Sequence, residues 1–125
     1  MLFKRKIYDK FLAWKTECAG KKALLVEGAR RIGKSTVVEE FAKNEYKSYI
    51  LIDFAKASSD VKEYFQLYLN DLDTFFMLLS VQYGVQLHER DSVIIFDEVQ
   101  LFPKAREAIK YLVADGRYDY METGS

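Results

Sequence analysis

The chain has 125 residues, of which 50% are hydrophobic and 15% aromatic, so it reads as one domain with a real core, neither disordered nor collagen-like. Its 19 basic and 19 acidic side chains cancel, which removes the global electrostatic argument for a nucleic-acid or anionic-membrane binder. The N-terminus has no apolar core of a signal peptide, no stretch approaches the roughly 20 apolar residues of a membrane span, and the lone Cys18 can form no internal disulfide or thiolate cluster. These features lead to the expectation of a soluble, cytoplasmic protein with no membrane partner, in which Cys18 is a small buried thiol.

Taken in chain order, Ile7, Phe11 and Trp14 recur at helical spacing among lysines, which predicts an amphipathic helix over residues 4–18 that Gly20 ends. The apolar run 23–26 has the form of a strand covered on both faces. After a glycine-bearing loop, Val37, Val38, Phe41 and Ala42 define a second helix that stops near Asn44, and residues 48–54 form a second strand. Val61, Tyr64, Phe65, Tyr68 and Leu69 mark a third helix capped by Ser59 or Asp60, and Leu72, Phe75, Phe76, Leu79 and Tyr83 a fourth, from an Asp71 cap to a Gly84 stop. Residues 93–96 are a third strand, Pro103 opens a helix closed by Gly116, and residues 118–123 form a weaker fourth strand. Strands alternating with helices predict βαβ units and a mostly parallel sheet.

Two segments carry chemistry. Gly28-Ala29-Arg30-Arg31-Ile32-Gly33-Lys34-Ser35 fits G-x-x-x-x-G-K-[ST] without a mismatch, between a buried strand and a helix. This is a P-loop, or Walker A motif: glycines let the backbone wrap a phosphate, and its N–H groups converge with the helix dipole on the negative charge. Lys34 is expected on the β- and γ-phosphates, Ser35 on Mg²⁺, and Thr36, more weakly, near the α-phosphate. The second segment is the hydrophobic run 93–96 ending in Asp97 and Glu98, the Walker B pattern. Strand alternation is expected to send the two acids in different directions, Asp97 to Mg²⁺ through water and Glu98 to the attacking water.

The P-loop, the tetrad Asp97-Glu98-Val99-Gln100 and the closing Thr123-Gly124-Ser125 resemble the AAA+-type ATPases of bacteria and archaea, above all a poorly characterised group with GARxxGK[ST] and DE[VI]Q motifs. The resemblance runs from the basic, Trp-bearing first helix (residues 1–20) through a P-loop core (residues 21–125), nearly the whole chain. It implies an α/β P-loop NTPase fold with ATP and Mg²⁺ as cofactors, and a fourth strand between those bearing the P-loop and the Walker B acids. It also implies that Thr123 or Ser125, with Ser125 preferred, helps to position the lytic water. The partners it suggests are a homo-oligomer formed through the ATPase domain and a protein or DNA.

Departures from the pattern set further expectations. Gln is frequent in the family where this chain has Arg31, so Arg30 and Arg31 flank the loop and are expected mostly at the surface. Glu122 interrupts a central strand and needs either a position at the strand end or a cationic partner. The arginine finger, fifth strand, sensor 2 and lid of AAA+-type proteins follow the residues matching Ser125, so the chain reads as a truncated domain whose first strand has an open edge. His88 in a polar loop and Lys4-Arg5-Lys6 on a helix face read as solvated, and the aromatic residues as core, with Tyr46 and Tyr49 unplaced. Two functions compete: a Mg²⁺-dependent ATPase, and a nucleotide-binding switch with little turnover or inactive alone. A GTPase is poorer, for want of an N-K-x-D motif after the P-loop, and the Asp97-Glu98 pair favours water over a substrate hydroxyl as acceptor, against a kinase.

Overall fold

A computed structural model of the chain describes residues 2–27 and 33–124, without the side chains of residues 2–4 and 34. The elements run α1 (Leu2–Cys18), β1 (Leu24–Glu27), α2 (Lys34–Glu45), β2 (Ser48–Asp53), α3 (Ser59–Leu67), α4 (Leu72–Tyr83), β3 (Ser92–Asp97), a 3₁₀ turn (Val99–Leu101), α5 (Pro103–Asp115) and β4 (Asp119–Gly124). All strands are parallel in one sheet of order β1-β4-β3-β2, the α/β architecture that the alternating pattern predicts.

Strand periodicity divides the core in two. Val93 and Ile95 of β3, Met121 of β4 and Val26 of β1 pack with Phe11 and Trp14 of α1 and with Val37, Val38 and Phe41 of α2. Their sequence neighbours Ile94, Phe96 and Tyr120 pack on the other face with Phe65, Phe75, Leu79, Ala108 and Leu112 of α3, α4 and α5. Because both faces are covered, every residue of β3 is buried. Phe65 sits edge-on to Phe75, Phe96 and Phe102, and Phe41 edge-on to Tyr8, Phe11 and Tyr46, so each half has its own aromatic centre.

Several local expectations are refined. Helix α3 is capped by Ser58, whose hydroxyl accepts the Val61 N–H at 3.3 Å, one residue before the expected Ser59 or Asp60. Asp71 caps α4 as expected, accepting from the Thr74 N–H, and Gly84 closes that helix with φ 63°, a left-handed stop that favours glycine. Strand β1 is not covered on both faces: it lies at the sheet edge, pairs with β4, and leaves Leu25 40% exposed. Cys18 is partly rather than fully buried, beside the α1–α2 core. Glu122 takes the second of its two options, lying mid-strand with Arg106 of α5 at 3.5 Å.

Tyr46 finds its place at the end of the sheet where the strands begin. Its hydroxyl donates to Asp119 Oδ2 at 2.5 Å, and the other Asp119 oxygen accepts from Arg90. Burial first, and the Asp119 carboxylate second, push the phenol well above its ordinary range. Tyr49 donates to Glu39 of α2 at 2.7 Å, and burial with that carboxylate pushes it up to about 12. No helix among the described residues is long and apolar enough to cross a membrane.

Candidate functional site

At the other end of the sheet, where parallel strands deliver their last residues to the helices that follow, the chemistry-bearing segments meet. Gly33 precedes α2 with φ 69° and ψ 31°, a left-handed conformation in which a side chain costs about 1–2 kcal/mol. Its carbonyl accepts the Val37 N–H at 3.1 Å, starting the helix. Among the described residues no side chain caps this helix start, and uncapped first N–H groups of a helix suit an anion.

At the second position of α2, the half-buried Ser35 donates its hydroxyl hydrogen to Asp97 Oδ1 at 2.7 Å. Asp97 is the last residue of β3 and only 8% exposed. The same Oδ1 accepts a second hydrogen bond, from Thr123 Oγ1 at 2.6 Å. Thr123 is fully buried, and its oxygen in turn accepts the Glu98 N–H at 3.0 Å. It is paired in register with Val26 on β1, and it follows Glu122, which pairs with Phe96 on β3. Thr123 thus ties β1, through its backbone, to the end of β3, through its hydroxyl.

Glu98 lies beyond the strand, in a left-handed turn with φ 56° and ψ 49°. The two acids therefore diverge because the backbone turns between them, rather than by strand alternation. A non-glycine residue held in this region stores on the order of 1–3 kcal/mol of strain, which surrounding contacts must offset. Here they include the Thr123 bond to its N–H, its own carbonyl accepting from Leu101 N, and Gln100 Nε2 donating to its carboxylate Oε1 at 2.7 Å.

Of the residues expected to bind phosphate or metal, the structure brings together Ser35 and Asp97, with Gly33 at the head of the same helix and Glu98 next to Asp97. Thr36 is exposed on α2. Gly28, Ala29, Arg30, Arg31, Ile32, the Lys34 side chain and Ser125 lie outside the described residues. A hydroxyl and a carboxylate oxygen in contact form the hard oxygen donor set that suits Mg²⁺, which keeps several waters and needs few protein ligands. Among the described residues no three His, Cys, Asp or Glu side chains gather into an all-protein metal cage.

The contacts of Thr123 and Gln100 are what sequence reasoning leaves undecided. Strand alternation contains the first, since Asp119, Met121 and Thr123 share a face, the one on which Met121 packs with Val93 and Ile95. The second has no sequence signal beyond the tetrad itself. A cavity of about 570 Å³ lies among Phe76, Met77, Val81, Leu87 and Arg117. It holds none of the phosphate or metal candidates and opens near the start of β3 and β4, away from Asp97 and Thr123.

A family model described as an AAA domain matches residues 20–125, leaving all of α1 outside the match. No curated protein and no solved structure matches the chain.

Proposed function

This chain belongs to the AAA domain family, a family of nucleotide-binding, ATPase-type function, and on that premise we propose that it binds ATP with Mg²⁺ and hydrolyses the γ-phosphate. The observation that carries the reading is the contact between Ser35 on α2 and Asp97 on β3, because it unites the two motifs on one pair of oxygens. In this reading the backbone of residues 28–33 and the α2 amides hold the phosphates, Lys34 neutralises the β- and γ-phosphates, and Thr36 lies near the α-phosphate. Ser35 and Asp97 hold Mg²⁺, which when bound withdraws charge from the phosphoryl oxygens. Thr123 keeps the Asp97 carboxylate turned toward Ser35, and its grip on the Glu98 amide fixes where that side chain begins. Glu98 accepts a hydrogen bond from water and aims it at the γ-phosphorus, general-base assistance of the kind that contributes about 10²- to 10⁴-fold.

The test is calorimetric titration of the chain with ATP and Mg²⁺ beside phosphate release. Lys34→Ala is expected to lose ATP binding, whereas Glu98→Gln keeps binding and loses turnover by about 10²-fold or more. Equal loss of binding in both variants would overturn the division of roles, and saturable binding without turnover in the unmodified chain would favour a nucleotide switch over an ATPase.

A further inference from the structure

We propose that Gln100 is a positioning residue for Glu98, and that Gly124 is the seat which holds Gln100 in place; the proposal rests on the reading of Glu98 as the group that orients water. Glu98 leaves the strand in a left-handed turn, and its carboxylate folds back on Gln100 Nε2, two residues on, at 2.7 Å. A hydrogen bond to an ionised carboxylate is among the stronger ones available to an amide. The other end of that amide is less well served: Gln100 Oε1 is buried and has no donor among the described residues. A buried amide with one end unpaired is costly, and the bond to the Glu98 carboxylate is set against that cost. The orientation is also determined by chemistry, because a flipped amide would set its oxygen against the carboxylate, where neither group has a hydrogen to give.

Gly124 supplies the other half of the argument. It is the last residue of β4, directly after Thr123. A Cβ built there would lie 2.9 Å from Gln100 Oε1 and 3.9 Å from its Cδ, and it would meet nothing else within 4 Å among the described residues. Gly124 is not among the residues with positive φ, so its backbone is one that alanine can adopt. Among the described residues, a methyl group at position 124 therefore meets Gln100 alone. The end of β4 thus reaches Glu98 twice: Thr123 holds its backbone N–H, and Gly124 makes room for the amide that holds its carboxylate.

The experiment compares the unmodified chain with Gln100→Ala, Gln100→Met, Gly124→Ala and the double variant Gly124→Ala/Gln100→Ala. Steady-state phosphate release gives kcat and KM, and calorimetry with ATP and Mg²⁺ gives affinity. Both Gln100 variants are expected to lower kcat by about tenfold to a hundredfold, the scale of a misplaced reacting group, with KM and affinity within about twofold of the unmodified chain. Gln100→Met keeps the bulk without the amide, so it separates lost positioning from lost packing should the alanine variant fail to fold. Gly124→Ala lowers kcat in the same way, and the double variant is no slower than Gln100→Ala, because the group that the methyl displaces is already gone. An unchanged or raised kcat in both Gln100 variants would overturn the positioning role, and additive losses in the double variant would overturn the seat. An unmodified chain that binds ATP but releases no phosphate would take down the hydrolytic reading and this role together, a result distinct from normal turnover in the Gln100 variants.

Discussion

The hydroxyl of Thr123 gives its one hydrogen to Asp97 and receives one from the Glu98 amide, so a single oxygen fixes both acids. Valine has nearly the same shape without that oxygen. Thr123→Val is expected to take the acceptor from the part-buried Glu98 N–H and release one hold on the Asp97 carboxylate, costing about 1–3 kcal/mol. Thermal unfolding should show the loss of stability and phosphate release a fall in turnover, and a variant unchanged in both would mean that water replaces the hydroxyl. The linear motifs mark Gly33, Ser35, Asp97 and Glu98 in the sequence, and the structure sets Ser35 against Asp97 with Gly33 at the head of the same helix. The choice between Thr123 and Ser125, the contact of Gln100 and the partners of Tyr46 are not legible in that way. Each depends on strand register or on an amide's orientation, and Tyr46 meets a carboxylate on β4, near the other end of the chain.

Helices were the readable elements, since i, i+3 and i+4 spacing survives any tertiary arrangement, and even the one-residue displacement of the α3 cap to Ser58 leaves its buried Val61 and Phe65 unchanged. Strand β4 is the weakest in sequence and proves central: Asp119 and Glu122 break its apolar run, yet each is matched by an arginine, Arg90 from the turn before β3 and Arg106 from α5. Glu122 offers a test of how well that matching works between β4 and α5. Burial raises its pKa, and Arg106 pulls it back without cancelling the rise. A carboxyl whose folded-state pKa is raised contributes stability that is fully present below its unfolded pKa and lost as pH rises through the folded value. Glu122→Gln does not titrate, so denaturant melts of the two proteins are expected to show the variant gaining on wild type as pH rises from about 4 to about 7. A variant that falls behind over that range would mean that the Arg106 pair outweighs the burial.

The described structure is a sheet with a separate aromatic centre on each face, Phe41 of α2 against α1 and Phe65 of α3 against α4 and β3. The two share no ring contact, so truncations at each should add, every one costing about 3–5 kcal/mol. Together they approach or exceed the roughly 5–15 kcal/mol that holds a domain folded, so Phe41→Ala and Phe65→Ala are each expected to fold with a lowered denaturation midpoint, and the double variant to be largely unfolded by circular dichroism. A folded double variant would mean that the faces repack across the sheet. The strand order has a consequence for how such a chain comes into being. Strands β2 and β3 are neighbours in space and can zip together once both have been made, but β1, synthesised before either, has its ladder on β4. Leu24 must wait for Met121, and Val26 for Thr123. A chain still emerging from the ribosome therefore holds β1 outside the sheet, and the contacts among Ser35, Asp97 and Thr123 take shape only as β4 slides into the gap between β1 and β3.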